Sequence, residues 1–483
     1  MHCLRLLLLL PLLFNPLALS QAVDLPSIGD PSERLITPDQ ERQLGEAFMR
    51  RLRLQVPFVD DPELDTYLNT LGNRLVANSD TPSQHFTFFI VKDNAINAFA
   101  APGGFIGTHS ALILAARNES ELAGVLAHEI AHVTQKHLVR AYDSASRMSL
   151  PTAAAILAAI LIGTQSSEAG QAAIMSVQAG SIQQQINFTR ANETEADNIG
   201  MQILARSEFD PRGMPDFFER LYQSTRYYGD GLPPFLSTHP VTTDRIAESM
   251  ARADQVRPHD TQDNLNFYLA QAKLRVTVSS DPGQAVTFFR QAKTDPPIPA
   301  AARDYGLALA LARSGNYQEA SNLLERLAKA DPDRLAYPLA LAQTDQAAGR
   351  NSAAMERYRR LLDLYPSNPV LVQGYANALL YGKRYAEAYR LIEQSRRQQQ
   401  RSDPTLYLLS AKAATGMGRT ADAHEAMAEY YFMNGQTHQA VEQLTLASKS
   451  PGQDFYQASR IEARLQELQA LALEEKRKED QAR

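Results

Sequence analysis

Apolar residues recur at three- and four-residue spacing over residues 39–80, first at Leu44, Phe48 and Leu52, then at Leu64, Leu68, Leu71 and Leu75. That is the period of helices burying one face. Phe86 to Val91 breaks it with a run of aromatic and β-branched residues, which predicts a strand. A second extended piece follows, Asn97-Ala98-Phe99-Ala100 through Pro102-Gly103-Gly104 into Phe105-Ile106-Gly107-Thr108, and its paired glycines mark a tight turn or a close backbone approach. Helical spacing returns at Leu122, Leu126, Ile130 and Val133, behind Asn118 as N-cap and Glu121 as its capping-box partner. Phe217, Phe218 and Leu221 read as core-facing positions of a later helix.

From about residue 265 the pattern changes to alanine- and leucine-rich helices punctuated by Asp-Pro and glycine. Ala285, Ala320, Ala354, Ala388 and Ala423 follow one another at 35, 34, 34 and 35 residues, and Ala308, Ala342 and Ala376 at 34. A period of 34 with small residues at helix crossings resembles tetratricopeptide repeats, whose helix pairs bury their apolar faces only against neighbours. Four to five repeats fit before the register breaks near Gly435, and Leu465 to Arg483 reads as a charged terminal helix that frays. Such a superhelix offers a concave face for extended peptides. Tyr305, Tyr337, Tyr375, Tyr381 and Tyr407 are candidates to line it, although packing between helices is the favoured reading for most of them.

Length and composition add a location. At 483 residues the chain exceeds one ordinary core, and 44% hydrophobic with 21% charged residues describes a folded protein. The net charge of −6 and the lack of a basic run argue against nucleic acid as a partner. Arg5, the apolar stretch from Leu6 to Leu13, and small residues at Ala18-Leu19-Ser20 or Ser20-Gln21-Ala22 form a secretory signal peptide. Asn15 and Pro16 interrupt the run short of a membrane span. Leu150 to Ile162 is a further apolar run, broken by Pro151 and Thr152 and also too short to span. We read residues 150–182 as a mobile helical hairpin that covers a cleft or makes peripheral contact with a membrane, with a buried core helix as the alternative. The expected division is a signal peptide over 1–22, a catalytic unit over 23–262, repeats over 263–460 and a charged helix over 461–483.

The candidate chemistry lies in His128-Glu129-Ile130-Ala131-His132. Residues four apart on a helix lie about 40° apart on one face, so two imidazoles point at one place and make half of a tetrahedral zinc site. Glu129, beside that face, is placed to act as general base on a water. Cys3, the only cysteine, lies in the signal segment, so any zinc must be held by His and Asp or Glu. A third ligand does not follow in the same stretch: Gln135 and Leu138 carry none, and His137, about 140° around the helix from His132, reads as a solvated surface residue. Glu193 and Asp197 are four apart on a predicted helix, so one carboxylate can bind metal while the other holds a ligating imidazole. Glu195 belongs to the solvated face, and Ala196 and Gly200 allow close packing.

The order His128-Glu129-x-x-His132, then Glu193-x-x-Ala196-Asp197, preceded by Asn97-Ala98-Phe99-Ala100-x-Pro102-Gly103-Gly104, resembles the M48 family of zinc metallopeptidases over roughly residues 40–250. The resemblance implies one zinc ion per chain held by His128, His132 and Glu193, with Glu129 as base and Asp197 supporting a ligand. Asn97, Ala98, Phe99 and Ala100 are then either an edge strand that holds substrate through its main chain or a hairpin packed under the helix. The segment Leu236-Ser237-Thr238-His239-Pro240 is similar to the family's histidine-proline motif. His239 is a candidate to stabilise an oxyanion, or to fill the fourth coordination position as a latch. Arg245 follows as a partner for a carboxylate or for the transition state.

The expected fold is mainly α: an α+β zincin-like domain with a small β-sheet, followed by an all-α tetratricopeptide superhelix. Over nearly its whole length the chain resembles secreted bacterial members of the family that carry such repeats. That resemblance implies a periplasmic endopeptidase that degrades misassembled outer-membrane β-barrel proteins and assists their assembly, with the repeats recruiting precursors or the assembly machinery. The alternative is a chaperone or adaptor acting through the repeats while the zinc site stays latent.

Overall fold

The computed structural model describes residues 37–137, 190–224, 233–256, 264–291, 297–398 and 403–482. The expected signal peptide, the 150–182 hairpin and the boundary at 262 lie outside these residues. Among the described residues no helix is long and apolar enough to cross a membrane.

Helix α1 (Pro38–Arg53) is opened by a capping box between Thr37 and Gln40, and α2 (Pro62–Ala77) by the Asp61 carboxylate, which accepts from the backbone of Glu63 and Leu64. Strands β1 (Thr87–Val91), β2 (Ala98–Ala101) and β3 (Phe105–His109) form a sheet of order β1-β3-β2. β3 pairs parallel with β1 and antiparallel with β2. The pleat separates two cores. Phe89, Val91, Phe99 and Ala101 pack on Leu44, Phe48 and Leu52 of α1, whereas Phe88, Ile90, Ala98, Ala100 and Ile106 join the large core. Gly103 and Gly104 turn the chain between β2 and β3 with φ of 76° and 75°, and a Cβ at Gly104 would collide with the His85 carbonyl. The close approach expected of these glycines is real.

After α3 (Ser110–Ala115), helix α4 (Glu119–Thr134) runs through the large core, buried from Glu119 to Val133. α5 (Arg190–Arg206) lies against it, with Gly200 so close that a Cβ would stand 3.0 Å from the His128 backbone nitrogen. α6 (Gly213–Ser224), the short α7 (Pro234–Thr238) and α8 (Thr243–Ala253) complete the domain.

The described repeat region forms six helix pairs: Leu265–Val278 with Pro282–Gln291, Ala300–Arg313 with Tyr317–Ala330, Ala336–Ala347 with Asn351–Leu364, Pro369–Tyr381 with Tyr385–Gln398, Pro404–Gly416 with Thr420–Met433, and Thr437–Lys449 with Phe455–Ala482. The periodic Ala308, Ala320, Ala342, Ala354, Ala376 and Ala388 are fully buried, which is what close helix crossings demand. The register breaks near Gly435, as expected. The left-handed turns at Gly315, Gly349, Lys383 and Gly418 lie within pairs, whereas the one at Gly435 joins the fifth pair to the sixth. Helix pairing continues past it, with the next turn within a pair at Gly452. The last helix, by contrast, does not fray from Leu465. It begins at Phe455, and Ile461, Leu465 and Leu468 keep a buried stripe against Ala440 and Leu444 beneath its charged exterior.

The array grips the catalytic domain. Lys273, Tyr305 and Gln343, from the first helices of three successive pairs, converge on Glu63 of α2. One hydrophobic core runs unbroken from Val59 to Leu341 across both regions. At the other end, Arg50 of α1 lies over the Phe432 ring at 4.7 Å, and Gly435 abuts the Arg50 carbonyl. Tyr305 is therefore buried where the array meets Glu63, Tyr337 is buried beside its ring, and Tyr381 is exposed.

Asp65 makes the grip sensitive to pH. Burial and the nearby charges of Asp60, Asp61 and Asp403 push its carboxyl up to about 8, far above the ordinary value of about 3.9. Between those values the folded chain holds a proton that the unfolded chain has lost, so stability falls as pH rises and this contribution is gone above pH 8. Asp65→Asn is expected to stabilise the chain by about 2–3 kcal/mol at pH 8.5, after discounting for partial exposure, and much less at pH 5. Urea unfolding at the two pH values checks this, and an equal gain at both would refute it.

Candidate active site

The apolar stripe of α4 places its other side chains. Leu122, Leu126 and Ile130 lock the helix in the core, and His128, Glu129 and His132 project together into the interior, each wholly buried. α5 contributes Glu193, and the turn after α7 contributes His239. The Nε2 atoms of His128 and His132 stand 3.0 Å apart, His128 Nε2 is 3.3 Å from His239 Nδ1, and the Glu193 carboxylate lies 3.2 Å from His239 Nδ1 and 3.5 Å from His132 Nε2.

This donor set fits zinc. Ligand atoms at ~2.0–2.1 Å around one tetrahedral ion stand ~3.3 Å apart, and one ligand atom from each of these four residues lies within 4.8 Å of all the others. The ring nitrogens face one another as a cation between them would require. The electrostatics agree. Burial presses His128 down, but hydrogen bonds and charge from Asp197 and Glu193 outweigh it and hold the imidazole up at about 10. His132 is held well below its ordinary value by burial and by the neighbouring imidazoles, so the cluster favours one positive charge and leaves His132 neutral, as a ligand must be.

The outer atoms of the cluster are held as firmly. Asp197 Oδ1 lies 3.0 Å from His128 Nδ1. Arg245 of α8 donates from Nε and Nη2 to the two Asp197 oxygens at 2.8 and 2.9 Å, reaches Glu193 Oε2 at 2.9 Å, and donates to the Pro240 carbonyl at 2.7 Å. The expected pairing of Arg245 with a carboxylate is thus a double one, and the same guanidinium holds the loop that carries His239.

His137 and Glu195 depart from expectation. The solvated position assumed for His137 requires α4 to continue, but α4 ends at Thr134 and Lys136 takes a left-handed conformation with φ of 54°. The chain folds back, His137 is buried, and its Nδ1 lies 2.8 Å from His132 Nδ1 while its Nε2 lies 3.1 Å from Glu195 Oε2. A third histidine within five residues of His132 was the only signal available in the sequence.

Glu129 sits beside the ligands rather than among them. Its carboxylate is 3.5 Å from His239 Nε2, and among the described residues neither oxygen accepts a hydrogen bond of ordinary geometry. Burial pushes its carboxyl up, opposed by His239 and His128, which moves a carboxylate toward the range of a base near neutrality.

β2 is the edge strand on the catalytic side. The His109 N–H donates to the Asn97 carbonyl, so in the observed register Phe99 and Ala101 also exchange bonds with β3, and Ala98 and Ala100 direct their N–H and C=O groups away from it. The Ala100 amide favours the ionised Glu129. All of Asn97, Ala98, Phe99 and Ala100 are buried, and the Asn97 carboxamide has no hydrogen-bond partner among the described residues. The Ile96 carbonyl accepts from Phe235 N–H at 3.3 Å, joining this strand to the His239 loop.

Comparison with known proteins gives a consistent picture. The model of peptidase family M48 matches residues 62–253, and a tetratricopeptide repeat model matches residues 346–413. The chain is 37% identical over 460 residues to the beta-barrel assembly-enhancing protease of Escherichia coli K12, covering 94% of this chain and 93% of that one. It is 35% identical over 448 residues to the protein of the same name from Yersinia pestis, covering 92% of each. The mitochondrial metalloendopeptidase OMA1 of Schizosaccharomyces pombe is 29% identical over 180 residues, which are 37% of this chain and 50% of that one.

Proposed function

This chain belongs to peptidase family M48, as a zinc metallopeptidase with tetratricopeptide repeats, and we propose that it is an endopeptidase acting on misassembled outer-membrane β-barrel proteins. The observation that carries the proposal is the buried convergence of His128, His132, Glu193 and His239 beside Glu129. In this reading His128, His132 and Glu193 hold the zinc, Asp197 and Arg245 fix them, and His239 is a latch.

Bound there, zinc supplies a Lewis acid that makes a water acidic enough to lose its proton near neutral pH and polarises the carbonyl to be attacked. Glu129 takes that proton and returns it to the leaving amine. A substrate strand adds to β2 through the main-chain groups of Ala98 and Ala100, which sets the scissile bond beside Glu129 without reading side chains. Selection then falls to the repeats, which we propose recruit β-barrel precursors or their assembly machinery. The beta-barrel assembly-enhancing proteases that resemble this chain support that substrate class. With residues 1–22 as signal peptide, the mature chain acts in the periplasm, with residues 23–262 as the peptidase unit and the repeats following.

His239 decides whether the site is open. At 3.3 Å from His128 Nε2 and 3.2 Å from Glu193 it takes the fourth position of the cluster, where a water or substrate belongs. His239→Ala is expected to increase cleavage of an unfolded outer-membrane β-barrel protein by the purified mature chain. A fall of ~10²–10³ would instead make His239 an oxyanion donor. The closed geometry also favours a second reading, a chaperone or adaptor whose zinc site stays latent. No cleavage by wild type or His239→Ala, with the substrate still bound, would favour it.

A further inference from the structure

We propose that His137 and Glu195 form an outer clamp on His132, positioning residues that fix which ring nitrogen of that histidine faces the cation. The proposal rests on the ligand role assigned above to His132.

The hydrogen-bond directions follow from the geometry. His132 Nε2 points into the cluster, 3.0 Å from His128 Nε2, so a cation there requires the lone pair on Nε2 and the hydrogen on Nδ1. That N–H faces His137 Nδ1 at 2.8 Å, which must accept. His137 then carries its own hydrogen on Nε2, and this donates to Glu195 Oε2 at 3.1 Å. Each step allows only one arrangement, and a carboxylate closes the series. Inside a buried site, such a chain orients the ring and raises the basicity of the ligating nitrogen. His128 receives the same service directly from Asp197 at 3.0 Å, so the two histidines of one helix turn are supported differently.

The backbone is built for this contact. α4 stops at Thr134, and the left-handed Lys136 returns the chain so that the His137 side chain is fully enclosed. Glu195 lies between Glu193 and Asp197 on α5 but turns to the other side, with its side chain 41% exposed. The clamp thus joins α5 to the end of α4, separately from the grip of Arg245 on Asp197 and Glu193.

The test is zinc affinity of the full mature chain, measured by competition with a chelator, for wild type, His132→Ala, His137→Leu, His137→Gln and Glu195→Ala. His137→Leu keeps bulk but has no acceptor, and is expected to weaken zinc binding by about 10–100-fold. Glutamine can accept from His132 and donate to Glu195, and is expected to recover most of that loss. Glu195→Ala is expected to fall between. The thermal stability of each metal-free variant is recorded alongside, because a packing role would lower it without separating leucine from glutamine. Wild-type affinity in His137→Leu, with binding lost in His132→Ala, would overturn the clamp and leave the metal centre standing. Equal losses in leucine and glutamine variants would overturn it in favour of packing. Unchanged affinity in His132→Ala would remove the ligand assignment, and the clamp with it.

Discussion

Glu129→Gln is expected to lower peptide-bond cleavage by ~10²–10⁴-fold while zinc content stays at the wild-type level, the usual range for losing a general base. Glutamine has the size and shape of glutamate but cannot take a proton from water. Glu129 is fully buried, its oxygens accept no hydrogen bond of ordinary geometry among the described residues, and it lies beside the four grouped ligand atoms rather than among them. Burial and the neighbouring Glu193 charge push its carboxyl up, so it is a better proton acceptor than an exposed glutamate. Single-turnover cleavage of an unfolded β-barrel substrate, with metal analysis of the same samples, checks the outcome. Loss of zinc together with activity would make Glu129 part of the metal-binding set. Full activity with zinc retained would remove it from the mechanism. If the variant still supports assembly in cells while cleaving nothing, the repeats carry a separate chaperone role.

The largest effect on stability is expected at the contact between catalytic domain and repeats. Lys273→Met should destabilise the chain by about 2–4 kcal/mol, toward the cost of leaving largely enclosed partner charges uncompensated. Lys273 is 8% exposed, and its ammonium contacts Glu63 and lies 3.3 Å from Asp61. Burial alone would lower its pKa, but those two carboxylates raise it, so the lysine is charged in the folded chain. Without it, Glu63 keeps Gln343 at 2.8 Å and Tyr305 at 3.5 Å, neither of which carries a positive charge. Adding Glu63→Leu to Lys273→Met removes one of the stranded charges and should recover part of the loss. Urea unfolding of both variants measures this. A cost under ~1 kcal/mol would place the pair with ordinary surface ion pairs.

Much of the site was legible because its chemistry is periodic. His128 and His132 share a face by being four apart on a helix, Glu193 and Asp197 repeat that spacing, and the alanines at 34-residue intervals mark the crossings they occupy. What was not legible depends on where periodicity stops. His137 faces the ligands only because Lys136 adopts a left-handed conformation with no glycine to announce it. Glu63 and Lys273 lie 210 residues apart, and each reads locally as an exposed charge on a helix. Arg245 showed a candidate partner for a carboxylate, but its simultaneous hold on Asp197, Glu193 and Pro240 requires three segments to meet. The terminal helix was misjudged for the opposite reason: its charges dominate the composition, while four well-spaced apolar residues, Ile461, Leu465, Leu468 and Ala472, do the packing.

Repeat arrays are commonly treated as portable parts, to be trimmed, transplanted or expressed alone. The embrace of α1 and α2 by this array forbids that use. Cutting between residues 256 and 264 would open a core that runs from Val59 to Leu341 and strand Lys273 without its carboxylates. A chimera that exchanges the repeats must carry the first two helices of the peptidase with them, so in evolution and in engineering the heritable unit is the peptidase and its repeats together.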